Sequence, residues 1–529
     1  QMAVFHTLLP LLLLTASCVS PYKILVYNAK FGHSHSQYMG RVADILEDEG
    51  HNVTSLISEM TTLYEDGTTK STVIRVRADL EMEQYYNSVI LKGGIDFFKT
   101  KFLDPIGAAF FGYTYSKIFA ASCARLLDVP RLVERLKNEA YDLYIVENFD
   151  ICGIGLTYLI EPKASIMVST TVLHGWQYEE AGVPPSISIN PSLLVSKLDT
   201  DSLWSRATNL FAHAIERIMF FFARWNVRRE LVKRYGDGFP RFDEIITKMS
   251  YVFTNTEPLL DFGTPTLPRV VNIGGLAVEQ PRPLDETWNA VVSQRPQTVI
   301  ISFGSFLESS LMDIALKRSI LTTASRFPDT TFVWKYEADD EFAVDEARKV
   351  ANVYLDKWLP QNDLLHDGRT VLFVTHAGMG SVQETAIAGV PVLAIPLMGD
   401  QPRNAAALEH NKLGKVFSKF DLGDADKLTA AIREVLENES YRSTARLIAM
   451  MLAEKPVSSR DLLLRYVAYA AKFGQPSGLR PAAPSMTLVA YHNLDILAIA
   501  ALIGYVSIRV AYALVRLAVC RRHNKRKTE

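Results

Sequence analysis

The sequence predicts an α/β protein of two halves, each built on a parallel sheet and followed by one apolar C-terminal helix. Three observations predict it. Short β-rich runs alternate with helical patterns at βαβ spacing near the start of the chain. The same rhythm restarts at Thr298, after a Pro-containing stretch from Pro258 to Pro296. Near the end, Ile496–Val519 is an apolar run long enough to cross a bilayer. The 529 residues supply chain for about three to four domains of ordinary size, or for two large ones. A 48% hydrophobic share with 26 Phe, 22 Tyr and 6 Trp excludes a disordered or fibrous chain. A net charge of −2 argues against a nucleic-acid binder, and four cysteines exclude a disulfide framework.

In chain order, Leu8–Leu14 with Thr15-Ala16-Ser17-Cys18 behind it reads as a signal peptide over residues 1–18, although no basic residue precedes it. Lys23–Tyr27 is a strand, followed by the loop Phe31-Gly32-His33-Ser34-His35. A helical pattern then runs through Glu49 to a stop at Gly50, with a second strand at Val53–Ile57 and another at Leu143–Val146. Residues 60–125 and 200–240 read as irregular, helical and aromatic, with Phe97, Phe98, Phe102, Phe110 and Phe111 in one stretch and Phe220, Phe221, Phe222 and Trp225 in the other. Core packing explains most such rings. An apolar ligand pocket or a membrane-facing surface is the alternative. Strands at Thr298–Ser302, Thr331–Trp334, Val371–Thr375 and Val392–Ile395 make the second half. The resulting division is 19–280, 281–485 with a return helix, a membrane span at 494–520 and a basic tail at 521–529.

The two ends together describe a single-pass type I membrane protein with its bulk in the lumen. Arg509 and Arg516 lie seven apart within the span, on one helix face. Lys525 and Lys527 resemble a dilysine retrieval signal for the endoplasmic reticulum. Cys123 and Cys152 remain in the lumenal part, and the sequence leaves open whether they pair. Asn438-Glu439-Ser440 is the expected glycan acceptor, while Asn52-Val53-Thr54 is discounted because it opens a strand expected to be buried.

The chemistry concentrates in Phe373–Glu384. A strand ends at Thr375, His376 and two glycines make the turn, and a helix runs from about Met379 to Ala388, stopped by Gly389. Unpartnered amides at such a helix start carry positive partial charge and suit a diphosphate. Glycines at 378 and 380 allow close approach, His376 adds a donor, and Glu384 sits where an acidic residue can hold a ribose. The next strand delivers Asp400 and Gln401 to the same edge. Upstream, Trp358-Leu359-Pro360-Gln361 supplies an aromatic plane, and Ser302-Phe303-Gly304-Ser305 a second Gly-Ser loop.

On these residues the chain resembles the UDP-glycosyltransferase family, and over nearly its whole length the membrane-bound UDP-glucuronosyltransferase branch. The resemblance implies two Rossmann-like domains facing across a cleft, the GT-B arrangement. Trp358 would stack on uracil, Gln361 would bond its edge and Glu384 would hold the ribose. His376, Gly378 and the Ser302, Gly304, Ser305 loop would hold the diphosphate, and Asp400 and Gln401 the sugar hydroxyls. Two departures stand out. Ala377 replaces the first glycine of the family's His-Gly-Gly, and Gly380 replaces a phosphate-donating Asn, with Ser381 or bare amides as substitutes.

The resemblance further implies a general base at His35, with His33 as rival, and an orienting carboxylate at Glu147, with Asp150 as fallback. It implies transfer, with inversion, of glucuronic acid or glucose from its UDP derivative to a hydroxyl of a small lipophilic acceptor. Arg403, or a cation from the N-terminal half, is the candidate partner for a glucuronate carboxylate. A non-catalytic donor-binding membrane partner is the alternative outside enzymology, and self-association or association with another chain stays open. Gly153-Ile154-Gly155 lacks the rest of a dinucleotide fingerprint, and Asp424-Ala425-Asp426 reads as a helix cap rather than a metal motif. No residue cluster has metal-ligand spacing, so neither a metal nor any other cofactor is expected.

Overall fold

The structure is a computed structural model that describes residues 21–88, 96–101, 103–482 and 486–528. The expected signal segment lies outside the described residues. Seven parallel strands form the first sheet: β1 (Lys23–Lys30), β2 (Asn52–Glu59), β3 (Thr72–Val76), β4 (Leu143–Glu147), β5 (Ala164–Ser169), β6 (Tyr251–Thr254) and β7 (Val270–Asn272). Their spatial order is β3-β2-β1-β4-β5-β6-β7. Six more form the second: β8 (Gln297–Ser302), β9 (Thr330–Lys335), β10 (Val353–Asp356), β11 (Thr370–Thr375), β12 (Val392–Ala394) and β13 (Gly414–Val416), in the order β10-β9-β8-β11-β12-β13. Strand order therefore reverses between β1 and β4 in one sheet and between β8 and β11 in the other. The carboxyl ends at such a reversal frame a crevice where α/β sheets take ligands.

The strands that bury both faces are the apolar runs, as parallel sheets require. The helix Ser459–Phe473 returns to the first sheet, setting Leu463, Val467, Ala470 and Ala471 against Ile24, Val26, Leu143 and Ile166. Their spacing is one face of a helix. Residues 60–125, expected to lack strands, contain β3, which lies at the sheet edge, mostly exposed, and carries little apolar signal. The helices Pro105–Leu127 and Leu203–Tyr235 fill the two aromatic stretches and pack on each other. A disulfide joins Cys123 to Cys152, tying the first of them to the helix Ile151–Ile160. Among the described residues one helix is long and apolar enough to cross a membrane, Leu494–Cys520.

Candidate functional site

Gly32 opens the helix His33–Asp48 with no side-chain cap, so His35 stands in its first turn at the β1/β4 reversal. Glu147 is the last residue of β4 and is 1% exposed. Its Oε1 lies 2.7 Å from His35 Nδ1. Thr170, one residue past β5, donates its hydroxyl to the same Oε1 at 2.9 Å and sits 2.7 Å from the same ring nitrogen. With Nδ1–H turned to a carboxylate, Nε2 is the nitrogen left to take a proton. Phe31 and Phe149 flank the imidazole at 4.3 and 5.2 Å between ring centroids, and Phe149 meets Phe220 at 5.9 Å. The His35 ring thus opens beside a cluster of apolar rings. Asp150 is engaged elsewhere. It bonds the Tyr27 hydroxyl and caps the helix Ile151–Ile160 through Cys152 N at 3.0 Å, and burial raises its carboxyl to about 7. The sequence offered no pointer to Thr170, because the apolar run delivering it lacks the alternation that marks a half-buried strand.

In the second half β11 ends at Thr375, and Gly378 is the N-cap of the helix Met379–Ala388, again with no side-chain cap. Its first amides are therefore free for an anion. The His376 ring is wedged between two glycines: a Cβ at Gly304 would lie 2.7 Å from it, and one at Gly378 2.4 Å. Burial pushes the imidazole down to about 4, with Lys335 adding to the shift, so at neutral pH His376 is an uncharged donor. Ala377 adopts φ 62°, left-handed backbone that favours glycine. A Cβ at Gly380 would meet nothing within 4 Å.

The other predicted donor residues gather at this edge, with differences. Trp358 is 59% exposed, with Lys335 Nζ 5.6 Å from its ring centroid. Gln361 Nε2 donates to Ser381 Oγ at 3.2 Å and to Glu384, whose carboxyl burial raises to about 7. Ser302 is buried, and its hydroxyl accepts from Gly304 N at 3.4 Å, which leaves Ser305 as the half-buried serine of that loop. Asn404 bridges the turn, donating to Asp400 Oδ2 at 2.7 Å and to the Ala377 carbonyl at 3.0 Å. Gln401 Oε1 accepts from the amides of Leu397 and Met398 at 2.8 and 2.9 Å, so its amide nitrogen is the end left for a ligand. Of the weaker motifs, Gly153 makes room for the Tyr27 ring and Asp424 caps the helix Ala425–Glu437. Asn438 is exposed, its Oδ1 accepting from Ser440 N at 3.1 Å. Asn52 is exposed too, contrary to the expectation for its strand, although Val53 and Thr54 behind it are buried.

The two edges face one another. His33 meets Trp358 edge-on at 5.8 Å between ring centroids. Gln383 donates to the Asn255 carbonyl at 2.7 Å and accepts from Gly275 N at 2.7 Å. Arg403, the expected sugar-carboxylate cation, is 1% exposed and spends its guanidinium on Asn190 Oδ1 and Asp261 Oδ1 at 2.8 and 2.7 Å. From the helix Gln401–His410 of the second half it thus clamps two residues of the first.

A family model for UDP-glucoronosyl and UDP-glucosyl transferase matches residues 22–527. The protein ugt-47 of Caenorhabditis elegans, provisionally named a UDP-glucuronosyltransferase, is 28% identical over 90% of this chain and 89% of its own. UDP-glucuronosyltransferase 1A7 of Mus musculus is 29% identical over 75% of this chain and 72% of its own. The crystal structure of the calicheamicin glycosyltransferase CalG4 superposes with a TM-score of 0.56 at 14% identity, covering 86% of this chain and 99% of that one. That likeness establishes the GT-B fold. A match running through both sheets and the apolar helix makes the chain a member of the UDP-glucoronosyl and UDP-glucosyl transferase family, a glycosyltransferase that uses a UDP-sugar.

Proposed function

We propose that the chain transfers glucuronic acid from UDP-glucuronic acid to a hydroxyl of a small lipophilic acceptor, with inversion and with His35 as general base. The observation that carries this reading is the 2.7 Å contact between His35 Nδ1 and Glu147 Oε1 at the strand reversal, beside the Phe31 and Phe149 rings. Nε2 takes the acceptor proton, and the carboxylate stabilises the imidazolium that forms. The acceptor oxygen attacks the anomeric carbon from the face opposite UDP. Charge gathering on the departing diphosphate meets the free amides at Met379–Ala388, the neutral His376 donor and Ser305. Trp358 stacks on uracil, Gln361 and Glu384 take the uridine, and Asp400 and Gln401 bond the sugar hydroxyls. No metal takes part, so chelation with EDTA leaves the rate unchanged.

The names of the relatives support glucuronic acid. UDP-glucose is the second reading, favoured by the commitment of Arg403 to Asn190 and Asp261, which removes the nearest candidate cation for a carboxylate. The proposed setting is the endoplasmic reticulum membrane with both halves lumenal. The Cys123–Cys152 disulfide supports an oxidising compartment. The test is conversion of a simple phenol in membranes holding the full chain, with both UDP-sugars in competition. A glucuronide that exceeds the glucoside supports the reading. Excess glucoside replaces the donor, and no conjugate from either sugar rejects the catalytic proposal.

A further inference from the structure

Three neighbouring strands of the first sheet, β4, β5 and β6, end in polar residues that meet. Glu147 closes β4, Thr170 follows β5 by one residue and Asn255 follows β6 by one. The ladder runs on past the strand ends, with Asn255 N donating to the Ser169 carbonyl at 2.9 Å. All three side chains are buried. Buried polar groups cost free energy unless they are bonded, so where these groups point is set by what they meet.

Thr170 Oγ1 stands 2.7 Å from His35 Nδ1 and 2.9 Å from Glu147 Oε1, which is itself 2.7 Å from that ring nitrogen. The three atoms close a triangle in which the hydroxyl donates to the carboxylate and accepts from the imidazole N–H. A single carboxylate contact would leave the ring free to pivot. Two acceptors bonded to each other fix its direction, and with it the direction of Nε2. Threonine is β-branched and stiff at χ1, so its hydroxyl follows its backbone. That backbone is held in turn, because Asn255 Nδ2 donates to the Thr170 carbonyl at 2.9 Å.

The next link crosses to the second half. Gln383 lies in the helix Met379–Ala388, which receives the UDP-sugar in the proposed reaction, and it is 2% exposed. A glutamine on a surface helix ordinarily faces water. Here Nε2 donates to Asn255 Oδ1 at 2.9 Å and to the Asn255 carbonyl at 2.7 Å, and Oε1 accepts from Gly275 N at 2.7 Å. With Oδ1 engaged by Gln383, the Asn255 amide nitrogen is turned to Thr170. A continuous hydrogen-bonded path joins the helix Met379–Ala388 to His35.

We propose that Thr170, Asn255 and Gln383 are positioning residues for the transfer: Thr170 aims the His35 imidazole, and Asn255 and Gln383 tie that aim to the helix that holds the UDP-sugar. The proposal rests on His35 as general base. Its consequence is that the base is aimed only while the halves are docked, since sliding that helix off the first half parts Gln383 from Asn255.

The test measures kcat, KM for a simple phenol, UDP affinity and melting temperature on the full chain, with whichever UDP-sugar the wild type uses. Thr170→Val keeps the shape and removes the hydroxyl. Its kcat falls about tenfold or more, the worth of a hydrogen bond to a charged group, while UDP affinity and KM hold. Thr170→Ser recovers most of the rate. Asn255→Asp keeps the acceptor for Gln383, hence the contact between the halves, and loses the donor to Thr170. Its kcat falls about three- to tenfold, and no further loss appears when it is added to Thr170→Val. Gln383→Glu keeps the acceptor for Gly275 N and loses the donor to Asn255, and it repeats that measurement if Asn255→Asp does not fold. Wild-type kcat in Thr170→Val overturns the proposal. So does a loss that serine does not recover, or effects of the two substitutions that multiply. Turnover retained in His35→Ala removes the base and this proposal together, whereas turnover lost there and kept in Thr170→Val removes this proposal alone.

Discussion

Two turns in this molecule share one construction and do different things. Each follows a parallel strand at a point where strand order reverses, each opens a helix on a glycine N-cap without a side-chain cap, and each holds a histidine. In the first, His35 sits inside the helix start, and its Nδ1 meets Glu147 and Thr170, both delivered by neighbouring strands. In the second, His376 precedes the helix, is pinched by Gly304 and Gly378, and among the described residues has no carboxylate within bonding distance; burial holds it down at about 4. The backbone device is the same. On the proposed mechanism, what separates a proton acceptor from an uncharged donor is what the adjoining strand contributes, an acid in one case and a Gly-Ser loop in the other.

The sharpest way to break this contrast is to remove each histidine. His35→Ala should lower kcat by about 10²–10⁴-fold, the usual worth of a general base, and leave UDP affinity unchanged by calorimetry. His376→Ala should weaken UDP binding as well as turnover, because it removes a donor to phosphate. Equal effects of the two variants on UDP affinity would erase the distinction. Trp358→Ala follows in size. Loss of base stacking is worth about 1–3 kcal/mol, or roughly five- to 150-fold in the dissociation constant for UDP, and unchanged affinity would remove Trp358 from the donor site.

Much of the donor turn was legible in the sequence, down to the helix bounds at Met379 and Ala388, because glycines punctuate it and the strand before it is a clean apolar run. The His35–Glu147 pairing was legible only through family resemblance, since two residues 112 apart carry no local signal of contact. Thr170 and Asn404 were not assigned at all, and β3, β7 and β13 are too short or too exposed to mark themselves. Arg403 was misread for a different reason. A cation beside Asp400-Gln401 looks ligand-facing in sequence, and only the fold reveals that Asn190 and Asp261 already occupy it.

The turn's two departures from the family pattern sharpen the comparison from the other side. Gly380 faces open space, so the Asn of Gly380→Asn has room to donate to phosphate. A hydrogen bond to a charged group contributes about 1.5–3 kcal/mol, and roughly tenfold tighter UDP binding is expected after the side-chain ordering cost. Unchanged affinity would mean that Ser381 and the free amides already satisfy the diphosphate. Ala377 holds left-handed backbone at φ 62° with its methyl buried. Ala377→Gly relieves about 1 kcal/mol of strain and gives up a methyl contact, so the melting temperature should move little. A large loss would show the methyl to be a packing residue of the second core.

The smallest expected effect concerns pH. Burial raises Glu384 to about 7, while Gln361 opposes the shift by donating to it. The ligand-free protein therefore binds more protons here than the unfolded chain does between the ordinary carboxylate range and neutrality, and this group's contribution to stability falls as pH rises through that window. Ribose binding should run the other way, because two hydroxyl donors are better matched by a carboxylate than by a protonated acid. Uridine, which has no phosphate to titrate, should bind roughly threefold more tightly at pH 8 than at pH 6, and Glu384→Gln should flatten the profile. His33 lies against Trp358 and is also shifted downward by burial, so a slope that survives in Glu384→Gln would reassign the effect to His33. A flat wild-type profile would show that Glu384 does not meet the ribose as an anion.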